Sequence, residues 1–286
     1  MPHPALVPDA VAVITGGASG IGLAAAKKLA SLGLRVCIAD LGADRLARAQ
    51  EAIVTASGAS PDRVMTSETD VSRREALVAL EAAVRARFGG TDVLMNNAGI
   101  GPASSAIAGL LEGWERLLGV NLWGVIHGTQ VFVPGMIARG RAGLVINTGS
   151  KQGITTPPGN AGYNVSKAGV KAFTEALEHE LRNKEGCNVR AHLLIPGFVW
   201  TELTASGRDD APKPAGAWTP EQTVDFMLER LEAGDFYILC PDNEVPRALD
   251  ERRILWAAGD IVENRPPLSR WHPDFAEAFK AFAAKK

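Results

Sequence analysis

The sequence predicts an α/β fold: a single-domain, doubly wound parallel sheet of about seven strands, flanked by helices on both faces. Three observations carry this expectation. Short apolar runs alternate with longer amphipathic stretches through most of the 286 residues. A glycine-rich turn, Thr15-Gly16-Gly17-Ala18-Ser19-Gly20-Ile21-Gly22, separates the first apolar run from the first helical stretch. Pro196-Gly197 stops a later apolar run where a strand would end.

The elements follow in order. Ala10–Thr15 is a continuous apolar run, the pattern of a buried strand, and ends at the glycine turn. Ile21–Leu32 reads as a helix with Gly33 at its C-terminal stop. Leu34–Asp40 is the second strand and Ala43–Ser57 the second helix. Arg63–Glu68 and Arg73–Phe88 form the third pair. Asp92–Asn96 is the fourth strand and leads into Asn97-Ala98-Gly99. A long helical stretch then runs from about Leu110 to Ala138. Gly143–Asn147 is the fifth strand, Tyr163–Lys184 a helix, and Val189–Ile195 the sixth strand. Helix Pro220–Ala233 and strand Phe236–Leu239 complete the alternation. Right-handed crossovers between parallel strands make the doubly wound sheet the natural topology.

Thr204–Ala217, rich in Gly, Pro, Asp and Ala, reads as a loop long enough to have a function of its own. Beyond Leu239 a tail continues, with a helical pattern at Pro246–Ala258, a turn-prone stretch from Arg265 to Trp271, and a last helix at Pro273–Ala283. Residues 1–240 are therefore expected to form one Rossmann-type α/β domain, which carries the glycine turn. Residues 241–286 are expected to be a helical extension packed on the same domain or on a partner subunit. Trp256, Trp271, Phe275, Phe279 and Phe282 give this tail its apolar area.

Composition narrows the class. Hydrophobic residues make up 46% and charged residues 22%, as in ordinary globular enzymes. A net charge of −2 gives no electrostatic reason to expect nucleic acid or a membrane surface as partner. No apolar stretch approaches a membrane span, and the N-terminus has no signal-peptide pattern. Cys37, Cys187 and Cys240 lie far apart without metal-ligand spacing, so reduced, buried thiols, a cytoplasmic protein and no metal site are expected.

The glycine turn sits between strand and helix, where a dinucleotide site needs it. Gly16, Gly20 and Gly22 would let the backbone approach a pyrophosphate. The helix start at Ser19, Gly20 and Ile21 would offer unpaired N–H groups and a positive dipole end. This is the Rossmann-type arrangement, spaced G-x-x-x-G-x-G. Asp40 ends the second strand, where a carboxylate can accept both ribose hydroxyls and would repel a 2′-phosphate. Leu41 and Ser19 are uncharged and Arg45 stands one turn further on, so NAD is expected over NADP. The alternative reading of Asp40 is a cap on the following helix. Asp70-Val71 could hold the adenine, or Asp70 could cap the third helix.

Tyr163 and Lys167 stand four residues apart in the run Tyr163-Asn164-Val165-Ser166-Lys167 and would share a helix face. A free phenol titrates near ~10, too high for a base at neutral pH, and a nearby ammonium favours the phenolate. Ser150, at the end of the fifth strand, could hold a substrate oxygen while Tyr163 exchanges the proton. The bland alternative for the Tyr-Lys pair alone is a surface helix.

Taken with the glycine turn, Asn96-Asn97-Ala98-Gly99, Asn121, Ser150, Tyr163 with Lys167, and Pro196-Gly197-Phe198-Val199-Trp200-Thr201 resemble the short-chain dehydrogenase/reductase family. The likeness is to its compact single-domain branch, here with an extended C-terminal tail, and spans roughly residues 8–240. It implies that Tyr163 is the general acid/base and that Lys167 lowers its pKa and binds the nicotinamide ribose. Ser150 orients the substrate oxygen, and Asn121 holds a water that relays protons from Lys167. Asn97, Ala98 and Gly99 line the ribose site. In the Pro196-Gly197 segment, Val199 and Thr201 contact the nicotinamide carboxamide. One departure is minor: Gly149 stands where the family often has a second serine.

The implied function is hydride transfer between a nicotinamide cofactor, NAD preferred, and a secondary alcohol or ketone. Gln152, Phe198 and Trp200 are the candidate substrate contacts, with Gly101, Pro102 and Ile154 nearby, and the aromatic pair hints at an aromatic or bulky substrate. The alternatives are an NADPH-using carbonyl reductase and a non-catalytic dinucleotide-binding protein. The tail is expected to disfavour a tetramer and leave a homodimer built on the two long helices before and after the fifth strand. His192 and His127 read as packing residues.

Overall fold

The computed structural model describes residues 3–101, 105–108, 110–205 and 212–284. The apolar runs become seven strands: β1 (Val11–Thr15), β2 (Arg35–Asp40), β3 (Val64–Glu68), β4 (Val93–Asn96), β5 (Gly143–Thr148), β6 (Val189–Ile195) and β7 (Tyr237–Leu239). They form one parallel sheet in the order β3-β2-β1-β4-β5-β6-β7. The strand order reverses between β1 and β4, and a crevice opens there at the C-terminal ends of the strands.

Helices cover both faces. On one lie α1 (Gly20–Ser31), α2 (Ala43–Ser57) and α9 (Pro220–Glu232); on the other lie α3 (Arg74–Phe88), α5 (Gly124–Ala138) and α7 (Ala161–Asn183). Successive side chains of a strand point to opposite faces. Ala12 and Ile14 of β1 therefore pack with Leu29 of α1, Ile53 of α2 and Met227 of α9. Val11 and Val13 pack with Leu80 of α3, Phe132 of α5 and Leu181 of α7. Cover on both faces explains why the central strands read as unbroken apolar runs and not as alternating ones. Cys37, Cys187 and Cys240 are free and buried. His192 is buried in β6, its Nδ1 2.9 Å from the Asp235 carbonyl.

Three segments differ from the sequence expectation. The stretch from Leu110 to Ala138 is not one helix. Helix α4 (Leu111–Leu118) passes into a π-helical turn at Gly119–Trp123 before α5 begins. Such a turn inserts one residue without breaking the apolar stripe, so periodicity does not reveal it. A single-turn helix, α6 (Gln152–Thr155), follows β5 and is too short to leave a periodic signal. In the tail, α10 runs over Arg247–Val262, and the last helical pattern divides into a 3-10 turn at Pro273–Phe275 and α11 (Ala276–Ala284). The tail closes around Trp256. Its indole N–H donates to Ser269 Oγ at 2.8 Å, Arg265 stacks 4.0 Å from its ring centroid, and Phe279 and Phe282 lie at 5.4 and 5.3 Å. Pro102, and residues 206–211 of the expected loop, lie outside the described residues. Among the described residues no helix is long and apolar enough to cross a membrane.

Candidate active site

The ends of β4, β5 and β6 and the first turns of α7 converge on a cavity of about 730 Å³. Ser150 leaves the end of β5, and Tyr163 and Lys167 stand one helical turn apart on α7; all three line this cavity. The Tyr163 hydroxyl stands close enough to Ser150 for the serine to lower its pKa. Ser150 Oγ also accepts the Gln152 N–H at 3.1 Å, which fixes the serine against the start of α6. Lys167 is buried; its Nζ donates to the Thr148 carbonyl at 2.8 Å and lies 5.8 Å from the Tyr163 ring centroid. Burial disfavours charge at both groups. It pulls the Lys167 ammonium down to about 8 and pushes the Tyr163 phenol above its ordinary value, a rise that Ser150 opposes. The net direction for Tyr163 is upward, opposite to the pull expected from Lys167: desolvation outweighs the effect of Ser150, and Lys167 is not among the causes of the shift.

Asn121 lies fully buried in the π-helical turn. Its Oδ1 accepts the Ile100 N–H at 2.8 Å, and its Nδ2 donates to the Ile100 carbonyl at 3.1 Å and to Ser166 Oγ at 3.4 Å. Asn121 and Lys167 are neighbours across Gly99: a Cβ on Gly99 would stand 3.5 Å from Asn121 Oδ1 and 3.8 Å from Lys167 Nζ.

The rest of the cavity runs along the sheet switch point and fits a dinucleotide. Gly16 adopts φ +64°, and a Cβ there would meet Ala98 Cα at 2.7 Å; one on Gly22 would meet the Gly16 carbonyl at 2.1 Å. Only glycines allow this close turn, and it leaves the first N–H groups of α1, from Gly20 and Ile21, at the cavity wall. Asn97 ties the turn to the sheet, its Nδ2 3.2 Å from both the Thr15 and Gly16 carbonyls. Ala98 and Gly99 continue the same wall. Asp40 does not cap α2, whose first flanking residue is Gly42. Its carboxylate accepts the Ala18 N–H at 2.9 Å and the Leu41 N–H at 2.8 Å, and faces the cavity beside the exposed Leu41. Asp70 accepts from the Ser72 N–H at 3.0 Å and the Ser72 hydroxyl at 2.6 Å; it closes the turn ahead of α3, and Val71 stands beside it at the cavity. Opposite, Pro196, Gly197, Val199 and Thr201 form the wall that follows β6.

Three expected substrate contacts stand outside the described lining. Gln152 accepts from Asn160 Nδ2 at 3.4 Å. Phe198 and Trp200 are held through their backbones by Trp218, in a strand-like bridge centred on Val199. Ile100, Leu203 and Thr204 line the cavity instead. Leu203 and Thr204 belong to α8 (Glu202–Ala205), a four-residue turn without a periodic signal; Ile100 is adjacent to the Asn97-Ala98-Gly99 run, and that adjacency was the available clue. Arg45 also enters the site. Its Nη2 donates to Ser19 Oγ at 2.6 Å and pairs with Glu202. Arg45 lies in the first turn of α2, nearer the site than its distance in sequence from Asp40 suggested.

Residues 10–212 match the family model for short chain dehydrogenase. A crystal structure of a Burkholderia phymatum short chain dehydrogenase/reductase in complex with NAD superposes with a TM-score of 0.80 at 32% identity, over 90% of this chain and 96% of that one. An alcohol dehydrogenase from Thermococcus sibiricus, complexed with 5-hydroxy-NADP, superposes at 0.69 with 28% identity, over 78% and 90% of the two chains. The 1-deoxy-11-beta-hydroxypentalenate dehydrogenase of Streptomyces exfoliatus is 32% identical over 267 residues, 91% of this chain and 93% of that one. A Mycobacterium tuberculosis relative is 39% identical over 171 residues, and the chain spans only 60% of its length. With a family model over most of its length and a parallel sheet of the matching order, this chain belongs to the short-chain dehydrogenase/reductase family.

Proposed function

We propose that this protein is a nicotinamide-dependent oxidoreductase, NAD preferred, that interconverts a secondary alcohol and its ketone with Tyr163 as general acid/base. The observation that carries this reading is the Ser150–Tyr163 hydroxyl pair beside a buried lysine, at the end of a dinucleotide-shaped cavity. A pure binding protein has no use for such a pair. Ser150 holds the substrate oxygen, its own hydroxyl steadied by the Gln152 N–H. In oxidation Tyr163 removes the hydroxyl proton as hydride leaves the carbinol carbon; in reduction it returns the proton. A bound cofactor supplies the hydride acceptor or donor and, when oxidised, a positive charge. Lys167 adds a second positive charge below pH about 8 and passes protons toward Asn121 across Gly99.

The cofactor would lie with its pyrophosphate at Gly16 and Ser19–Gly22, its adenosine ribose at Asp40 and its adenine by Asp70-Val71. Its nicotinamide ribose would reach Lys167 and Asn97–Gly99, and its carboxamide Val199 and Thr201. Asp40 favours NAD. A second reading, NADP use, is favoured by the Arg45 guanidinium at Ser19. The collar of Ile100, Val199 and Leu203 suits an apolar, bulky substrate; the Streptomyces exfoliatus relative is named for a hydroxypentalenate. The free buried thiols suit a reducing cytoplasm. The chain is proposed to act as a homodimer joined through α5 and α7.

Turnover of a panel of alcohols and ketones tests the reading. Tyr163→Phe is expected to lower kcat by at least about a thousandfold while NADH binding is kept. A Tyr163→Phe enzyme at full rate sinks the mechanism.

A further inference from the structure

The loops that follow β5, β6 and β7 meet at one buried charge cluster. Lys151, the residue after Ser150, places its Nζ 3.2 Å from Asp242 Oδ2 and 2.6 Å from Asp250 Oδ2. Asp242 follows β7; Asp250 lies in the first turn of α10, in the C-terminal tail. Side-chain exposure is 17% for Lys151, 6% for Asp242 and 5% for Asp250. The cluster also grips the loop after β6. Asp242 Oδ2 accepts the Phe198 N–H at 3.2 Å, and the Lys151 N–H donates to the Pro196 carbonyl at 3.4 Å. A Cβ on Gly197 would stand 2.7 Å from Asp242 Oδ2 and 2.8 Å from Lys151 Nζ, so the ion pair lies directly against the loop and this position takes glycine. Asp242 Oδ1 is itself held by the Val245 and Glu244 N–H groups at 2.8 and 3.1 Å.

We propose that Lys151 is a positioning residue: through Asp242 and Asp250 it holds the Ser150 segment and the Pro196–Thr201 loop in register, and so makes the C-terminal tail part of the active-site frame. This rests on the oxidoreductase reading, in which Ser150 meets the substrate and Val199 and Thr201 meet the nicotinamide. A buried ion pair is a poor source of stability, but the Lys151–Asp242 pair is also a hydrogen bond and so directional, while Asp250 meets Lys151 as a charge contact. Two carboxylates against one ammonium make the arrangement dependent on Lys151. Burial raises the Asp250 carboxyl even against Lys151 and Arg253, whose Nη1 is 3.9 Å from Asp250 Oδ1. At Asp242 burial also acts upward, but the Phe198 N–H and Lys151 together hold the carboxyl below its ordinary value. Asp242 is thus the fixed anion, and Asp250 brings the tail to it.

The test uses the full chain with Lys151→Met, and with Asp250→Asn, which keeps the Lys151–Asp242 pair and serves if Lys151→Met does not fold. Amide hydrogen exchange over residues 196–201 is measured without ligand, and affinities for NADH and for ADP-ribose, which lacks the nicotinamide, are measured by calorimetry. Lys151→Met is expected to speed exchange at Phe198 and to weaken NADH about tenfold with ADP-ribose unchanged. On any panel alcohol that the wild type oxidises, kcat is expected to fall about tenfold with little change in KM, the signature of misplacement and not of lost binding. Asp250→Asn is expected to move the same readouts in the same direction by a smaller factor. Exchange and NADH affinity at wild-type values overturn the proposal, as does an equal loss of NADH and ADP-ribose, which would mark general loosening. A wild type that oxidises nothing in the panel counts against the proposed function alone, because exchange over 196–201 still decides this proposal.

Discussion

Lys167 holds an ammonium at 4% exposure against a single carbonyl, that of Thr148. A buried charge is costly, and the chain shows the cost as a fall from 10.5 to about 8. By linkage that shift corresponds to a penalty on the order of 3 kcal/mol. The folded-state value lies below the unfolded one. Below pH about 8 the lysine is charged in both states and the penalty is complete; from about 8 to 10.5 the folded chain releases its proton and the penalty fades. Lys167→Met is therefore expected to raise stability at pH 7 by about 1–3 kcal/mol, with the gain shrinking as pH approaches 10, while activity is lost. Calorimetric melts across pH check this, and a lower Tm at pH 7 would contradict it. Gly99 gives a second residue-scale expectation. A methyl there meets only ordinary contact distances, so Gly99→Ala should fold normally yet fill the space between Asn121 and Lys167. If protons pass through that space, kcat falls about tenfold with the melting temperature unchanged; an unchanged kcat removes the relay. That Ser150, Tyr163 and Lys167 meet at one cavity was legible in the sequence, because the proposed chemistry needs those residue types at those spacings. The upward direction at Tyr163 was not, because desolvation belongs to the folded surroundings and not to the helix that carries the pair.

At the scale of elements, what decided the site was which strand end meets which helix start. The end of β2 and the first turns of α1 and α2 meet at the proposed adenosine end of the cavity and bring Asp40 and Arg45 to it with opposite charges. The carboxylate belongs to the strand, which fixes it; the guanidinium belongs to a helix surface and is already shared between Ser19 and Glu202. The fixed anion should dominate. NADH is expected to bind at least about tenfold more tightly than NADPH, since bringing a phosphate to a carboxylate costs several kcal/mol. Asp40→Ser should remove most of that preference and leave Arg45 to meet the phosphate, and adding Arg45→Ala should weaken NADPH again. Fluorescence titration with both cofactors checks the series; equal affinities in the wild type would refute the reading of Asp40. The strands, and the helices that flank them, were readable from periodicity because burial on two faces leaves long apolar runs. The π-turn around Asn121 and the short helices α6 and α8 were not, because one inserted residue or four helical residues leave no repeat to read.

The whole molecule leaves exposed apolar side chains on the flanking helices that follow β4 and β5. Trp123, at the junction of the π-turn with α5, is 51% exposed and packs against His127 at 5.7 Å; Val165, on α7, is 50% exposed. The tail turns Phe279 and Phe282 inward against Trp256, leaves Trp271 exposed, and meets the domain through Lys151 and Asp250. The sequence supplied those aromatics but not their destination, since apolar content alone does not say which surface it will cover. The α10 face that carries Leu255, Ile261 and Val262 also stays exposed, so the proposed contact through α5 and α7 competes with one through the tail. The proposed dimer then has a definite mass and a definite weak point. Light scattering is expected to give twice the chain mass of 30.2 kDa. Trp123→Glu, which would place a charge in the proposed contact and touches none of the proposed catalytic groups, is expected to shift the protein toward one chain mass, because an unpaired buried charge costs several kcal/mol at an interface. Four times the chain mass would contradict the dimer. A Trp123→Glu protein that keeps twice the chain mass would move the contact away from α5 and α7, and would make the tail the next surface to test.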